Sequence, residues 1–288
     1  MTPDLLCIGA VLWDVIGRSN AYMERGSDVP GRITRIPGGV ALNIAMAARA
    51  YGMTPTLLSV VGRDAEGDAL VAACARLGLL TDTLYRSDDL RTDVYMAVEG
   101  ANGLIAAIAD AHSLEAAGDK ILSPLADMPD WSGPIALDGN LTLDLLARIA
   151  TDPAFARTDL RVAPASPGKA ERLIPFLSHA AATLYVNLEE AGLLLHAPQA
   201  NAITAAEAMR ARGLYRAIVT DGPRLAACAG PGGTVTRHPR RVMVTRVTGA
   251  GDTFMAAHIA AEASGASSDA ALERACEAAA TYVSGDTY

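Results

Sequence analysis

Basic charge is in short supply. The 288 residues carry 24 Lys and Arg against 32 Asp and Glu, a formal charge of −8 and a pI of about 5.1. Contact with a phosphodiester backbone calls for the opposite balance, which argues against nucleic acid as a partner. Long apolar runs are also missing. The longest near the start, Leu5 to Trp13, is closed by Asp4 and Asp14. That is far short of the ~20 residues of a membrane-spanning helix, so the run reads as a buried strand and no membrane partner is expected. The N-terminus has neither the basic residues nor the cleavage site of a secretory signal, which points to the cytoplasm. Cys7, Cys74, Cys228 and Cys276 are scattered without paired spacing, and read as reduced core thiols rather than disulfides, zinc ligands or a nucleophile. No G-x-x-x-x-G-K-[ST] occurs, since Gly168-Lys169 runs on to Ala170 without the upstream glycine. No G-x-G-x-x-G follows a strand to open a helix, and no Ser sits in a G-x-S-x-G elbow. His112, His179, His196, His238 and His258 lack metal-ligand spacing and read as surface or helix residues.

What is present is core material: 51% of residues are hydrophobic and only 19% charged. Apolar runs at Leu5–Val11, Leu57–Val61, Pro134–Asp138, Thr183–Asn187 and Arg216–Thr220 read as buried strands of a mainly parallel sheet. Helical patterns lie between them: Val40 to Tyr51 ending at Gly52, a stripe of Leu70, Val71, Cys74 and Leu77 ending at Gly78, and Thr204 to Arg212 ending at Gly213. Two more helices are expected, from about Ala250 to Ala263 and from about Asp269 to Val283. The pattern predicts an α/β/α sandwich. Val94–Val98 and Leu104–Ala109 break the alternation as a hairpin turning at Glu99 to Gly103. With Ile16 to Ile36 it would form a small extra sheet, too small to stand alone, which should lean on the main body or on a second subunit.

Three places could carry chemistry. In Val244–Gly265, Gly249 and Gly251 flank Ala250 at the mouth of an amphipathic helix, where free amides and the positive helix end favour an anion, and Asp252 follows in the first turn. A plain glycine turn with an acidic helix start would read the same way. In Arg35–Gly52, Gly38 and Gly39 lead into a helix that carries Asn43 among Ala, Leu and Ile. Such an amide needs a partner, either a hydroxylated ligand or a structural one. Asp14 follows directly on the first strand, at the edge where open α/β sheets bind ligands, or is simply a turn residue.

PGGVALN near the start and VTGAGDTF near the end, about 210 residues apart with NLEE (Asn187–Glu190) and TDG (Thr220–Gly222) between them, resemble the two signatures of the ribokinase-like (PfkB) carbohydrate and nucleoside kinases. Within that family the chain is most similar to the pseudouridine kinases. GRITRIPGGVALNIA, the segment TDVYMAVEGANGLIAAIADAH, LDGNLT, APASPGK and VTGAGD without the usual preceding Asp-Thr carry this finer likeness.

The resemblance implies a ribokinase-like three-layer sandwich with a mainly parallel sheet and a β lid at approximately residues 16–36 and 92–112, all within one domain over 1–288. It implies transfer of phosphate from ATP to a ribosyl primary hydroxyl, the 5′-hydroxyl of pseudouridine, with ribose, another nucleoside, another sugar or a non-catalytic nucleoside-binding role as alternatives. Asp252 would be the general base beside the amides of Gly249, Ala250 and Gly251. Asp14, Gly38, Gly39 and Asn43 would hold the ribose, with Thr92, Asp110 and Asn140 as further substrate contacts. Lys169, Asn187, Thr220 and Gly222 would line the ATP, and Glu190 would serve Mg²⁺ through water. A monovalent cation such as K⁺ and a homodimer joined through the lid also belong to the expectation. Four departures stand out: Ala41 in place of a glycine, Leu225 where TDG usually leads to another glycine, Ala163 in place of an Asp before Pro164, and an end at Tyr288, early for the family.

Overall fold

Leu5, Leu6, Cys7 and Ile8 are all fully buried, and they divide by parity. Leu6 and Ile8 pack into one apolar cluster, Leu5 and Cys7 into another, as a strand covered on both faces requires. The structure, a computed structural model, describes residues 2–285; Met1 and residues 286–288, Tyr288 among them, lie outside the described residues.

In chain order the first half holds β1 (Leu5–Ile8), β2 (Leu12–Arg18), β3 (Arg32–Gly38), α1 (Val40–Ala50), β4 (Pro55–Leu58), β5 (Val60–Gly62), α2 (Ala65–Arg76), β6 (Tyr85–Ser87), β7 (Val94–Gly100), β8 (Gly103–Asp110) and α3 (His112–Ala117). The second half holds β9 (Ile135–Asp138), α4 (Leu143–Thr151), β10 (Leu160–Ala163), β11 (Thr183–Asn187), α5 (Leu188–Leu195), α6 (Ala202–Ala211), β12 (Arg216–Thr220), β13 (Ala226–Gly230), β14 (Gly233–Arg237), α7 (Ala250–Ala263) and α8 (Ser268–Ser284). Eight strands form the main sheet in the order β14-β13-β12-β11-β10-β9-β1-β4. It is parallel from β12 to β4 and antiparallel at the β12-β13-β14 edge. α1, α2, α7 and α8 cover one face, and α4, α5, α6 and a 3₁₀ segment at Pro167–Ser178 cover the other. All four cysteines are buried, and burial raises each thiol, Cys74, Cys228 and Cys276 to about 11. No helix among the described residues is long and apolar enough to cross a membrane.

The expected small sheet is present as four strands in the order β3-β2-β7-β8. It begins earlier than the sequence suggested, because the run from Leu5 to Trp13 is not one strand. The chain leaves the main sheet at Gly9, whose φ of +149° and whose missing Cβ make room for Asp138; a Cβ there would lie 2.2 Å from that of Asp138. Asp14 therefore sits inside β2 of the small sheet rather than directly after the first strand. Leu57–Val61 likewise divides at Ser59, and β5 pairs with β6 as a separate ribbon. The helix expected from Thr204 starts at Ala202 because Asn201 caps it, accepting from the amides of Ile203 and Thr204. His258 is fully buried inside α7, whereas His179 is buried just after the 3₁₀ segment and is neither a surface nor a helical residue.

α7 is fastened to the sheet by a buried polar cluster. Glu262 accepts from Arg161 of β10 and Arg216 of β12, while Tyr185 Oη of β11 bonds His258 Nδ1 at 3.0 Å. Burial pushes His258 down to about 3, so it is neutral, while the paired guanidinium groups hold Glu262 ionised near 2. Such a cluster fixes the axial position of the helix, because each charge would be left uncompensated if the helix slid.

Candidate active site

The carboxyl ends of β1 and β9 lie beside the start of α1: Ala10 O accepts from Leu42 N, and Asp138 fills the space at Gly9. α7 is capped by Gly249, in a left-handed conformation at φ +89°, and Asp252 is the third residue of the helix that follows. Ala250 N–H closes a turn onto Val247 O at 3.0 Å, so this amide does not face outward as the sequence suggested. The amides of Gly249, Gly251 and Asp252 have no backbone partner among the described residues, and they form the anion-receptive group at this helix start.

Across the pocket, α1 opens at Gly39, φ +99°, after the tight approach of Gly38 to Asp14; a Cβ on Gly38 would lie 2.1 Å from Asp14 Oδ2. Asn43 Nδ2 donates to Asp252 Oδ2 at 3.0 Å, joining residues 209 apart in sequence. Of the two partners the sequence allowed for this amide, the one present is within the protein, the Asp252 carboxylate. Burial pushes Asp252 up to about 7, opposed by the Asn43 bond and reinforced by the charges of Asp138, Asp14 and Glu190. Burial alone pushes Asp14 up to about 6. Three carboxyl groups therefore lie near enough for their charges to act on Asp252, which is poised near neutrality at the helix start.

Asp138 escaped the sequence reading. It ends β9, is fully buried, and accepts from Ala10 N at 2.8 Å and from Asn140 N and Nδ2 at 2.8 and 3.2 Å. Asn140 Oδ1 in turn accepts from Lys169 Nζ at 2.7 Å. Burial and the nearby Arg172 lower the Lys169 ammonium below its ordinary range. The signal was available: a carboxylate at the end of an apolar parallel strand, in LDGNLT, lies on the ligand edge of the sheet. Tyr95 was missed as well. It pairs with Asp14 across β2 and β7, so the two side chains share a face of the small sheet, and burial together with the Asp14 charge raises the phenol.

Asn187 and Glu190 form a capping box: Glu190 N donates to Asn187 Oδ1 at 2.9 Å and Asn187 N to Glu190 Oε2 at 2.8 Å. One Glu190 oxygen is committed there, and burial raises the carboxyl. Asn187 pairs with Thr220 in the sheet, which sets both at the same edge beside the Gly222 turn. Leu225 packs against the core, and Asp221 and Arg224 close the turn as an ion pair. Ala41 is buried in the first turn of α1, and Ala163 ends β10 opposite Asp138. The two lid candidates have other partners. Thr92 donates through both its amide and its hydroxyl to Asp64, the cap of α2, at 2.9 and 2.7 Å. Asp110 pairs with His112 Nδ1 at 2.7 Å on the exposed end of β8.

A family model described as "pfkB family carbohydrate kinase" matches residues 2–286. The pseudouridine kinase of Escherichia coli (strain K12) is 28% identical over 260 residues, covering 88% of this chain and 81% of that protein. The uncharacterized sugar kinase YeiI of the same organism is 29% identical over 145 residues, 50% of this chain, and the match spans 40% of its length. Among solved structures, a carbohydrate kinase from Agrobacterium tumefaciens superposes with a TM-score of 0.82 at 24% identity, covering 97% of this chain and 90% of that one. Arabidopsis thaliana ribokinase complexed with ribose and ATP gives 0.78 at 18%, covering 98% and 93%. These superpositions identify the fold as ribokinase-like. With the family model running almost from end to end, the chain belongs to the pfkB family of carbohydrate kinases.

Proposed function

We propose that this protein transfers the γ-phosphoryl group of ATP to the 5′-hydroxyl of pseudouridine, giving pseudouridine 5′-phosphate and ADP, with residues 1–288 acting as one catalytic unit. The observation that carries the reading is the hydrogen bond from Asn43 to Asp252, which brings the GAGD helix start against the glycine-led helix α1. The choice of pseudouridine is supported by the E. coli relative of that name, which matches over most of this chain.

In this reading Asp252, balanced near neutrality, accepts the hydroxyl proton as the O5′–P bond forms and the bond to the β-phosphate oxygen breaks, with the electron pair leaving on ADP. The amides of Gly249 and Gly251 hold the charge of the transferring group. Asp14 and Asn43 orient the ribose hydroxyls, with Gly38 and Gly39 letting the backbone come close, and Asn140 meets the substrate while holding Lys169 toward the phosphates. Asn187, Thr220 and Gly222 follow the nucleotide along the sheet edge. No group of three or more potential ligands that could hold a metal exists among the described residues. Glu190, with one oxygen uncommitted, suits Mg²⁺ that arrives on the phosphates and keeps its waters. That ion would neutralise phosphate charge. Thr92 and Asp110 act at the two ends of the lid hairpin, Thr92 by fixing its entry to α2.

The test is an acceptor panel read by ADP release, paired with Tyr95→Ala. The wild type is expected to prefer pseudouridine to ribose, and the variant to lose roughly tenfold in kcat/KM on the nucleoside while ribose is little affected, since one base–aromatic contact contributes on the order of 1–3 kcal/mol. Ribose as the better wild-type substrate would overturn the nucleoside assignment.

The lid face opposite Asp14 and Tyr95 presents Val15, Ile33, Met96, Val98 and Ile108, with Ile33 80% and Ile108 62% exposed. A four-stranded sheet leaves such a face bare only at a cost, and a second copy of this chain is the partner that fits it. Ile108→Glu is expected to convert a dimer into a monomer in sedimentation; a wild-type monomer would refute the pairing.

A further inference from the structure

Behind the anion-receptive helix start, residues 245–248 are strapped to the end of α8. The amides of Thr245 and Arg246 donate to Val283 O at 2.8 and 3.3 Å, and the Thr245 hydroxyl donates to the same oxygen at 3.1 Å. Arg246 Nε donates to Tyr282 O at 2.8 Å, and its guanidinium carbon lies 3.8 Å from the centre of the Tyr282 ring. Tyr282 Oη donates to Thr248 O at 2.8 Å, and it also walls off Gly249, where a Cβ would come within 2.5 Å of that oxygen. One aromatic side chain therefore supports both the guanidinium and the glycine that begins α7.

The last carbonyls of a helix lack partners within it and carry the negative end of its dipole. Backbone carbonyl oxygens are also what a dehydrated monovalent cation takes as ligands. Among the described residues, the carbonyls that the end of α8 turns toward Thr245 and Arg246 are those of Tyr282 and Val283, the ones a K⁺ ion assisting the turn from behind would draw on. The first already receives a guanidinium, and the second receives two amides and a hydroxyl. Among the described residues, these carbonyls are already taken by protein donors and do not fit K⁺.

We infer that Arg246 is a built-in cation that, with Tyr282, positions the turn from Thr248 to Gly251 for phosphoryl transfer, so that turnover runs without added K⁺. Arg246 is a positioning residue, and this inference rests on the kinase reading above. A fixed positive charge at a helix C-terminus is stabilised by the negative end of the dipole and by the aromatic face beneath it.

The experiment uses the full chain with Mg²⁺, ATP and a ribosyl acceptor, exchanging potassium chloride for tetramethylammonium chloride at equal ionic strength. The wild-type rate is expected to stay constant. Arg246→Ala is expected to lose about tenfold in kcat with the acceptor KM unchanged, to regain much of it with added guanidinium or K⁺, and to gain nothing from urea. Arg246→Lys should retain an intermediate rate. A wild type that stops without K⁺ overturns the inference while leaving the kinase reading intact. So does an Arg246→Ala variant with undiminished kcat, or one that urea restores equally well. A wild type inert toward pseudouridine, ribose and every other ribosyl acceptor overturns both.

Discussion

Asp252→Asn is expected to abolish most turnover, lowering kcat by roughly 10²–10⁴-fold, the usual contribution of a positioned general base. The neutral amide keeps the size of the side chain and can still meet Asn43, so acceptor KM should change little and the fold should persist. The wild-type pH profile should carry the same signature. Asp252 is pushed to about 7 by burial and by the charges of Asp138, Asp14 and Glu190. The acid limb of kcat/KM should therefore rise with pH and level off above about 7. Stability should run the other way. A carboxyl whose folded value lies above its unfolded one binds more protons in the native state, so stability falls as pH rises from the ordinary Asp range through about 7. Replacing it with Asn removes that cost, and Asp252→Asn should melt higher than wild type at pH above about 7 and lose the advantage in acid. Calorimetry at two pH values reads this directly. An active Asp252→Asn protein, or a wild-type acid limb far below 7, would remove Asp252 from the base role.

Gly39→Ala is the second large effect, and it acts on the fold. Gly39 holds φ +99°, and an added Cβ would stand 2.4 Å from the Ala10 carbonyl oxygen and 2.7 Å from its carbon. Both are backbone atoms, and the same oxygen accepts from Leu42 N at 3.3 Å. Neither partner can rotate away. Relief requires α1 to part from the turn after β1, at an expected cost of about 3 kcal/mol or more, in chemical denaturation. Gly168→Ala is a suitable reference, because nothing lies within 4 Å of a Cβ there and φ is not positive. Equal midpoints for the two variants would show that α1 does not depend on this contact.

Local signals carried much of the fold. The apolar strand runs, the glycine stops and the Glu99–Gly103 hairpin depend on neighbours within a few residues, and the sheet, helices and lid follow them. Gly9 was unreadable because its missing Cβ answers to Asp138, a residue supplied by β9. That one glycine explains why an apparent single strand splits and why Asp14 moves into the lid. Asp138 and Tyr95 were hidden for a related reason: one derives its character from complete burial, the other from its register with Asp14. NLEE was legible twice over, since the residues that resemble a family pattern also satisfy the donor geometry of a helix start. Ala250 shows the limit of motif reading, because a turn back to Val247 decides which amide is available.

The bond between Asn43 and Asp252 also has a consequence for biosynthesis. β1 lies in the interior of the sheet, flanked by β4 and by the much later β9, while α1 is covered by α7. A nascent polypeptide therefore emerges with its first helix missing its cover, and ribosomes that stall before α7 should release products that are sticky and inert. Contacts so distant along the chain slow folding, because the intervening loops must close first. Expression yield of this protein should thus respond strongly to chaperone supply.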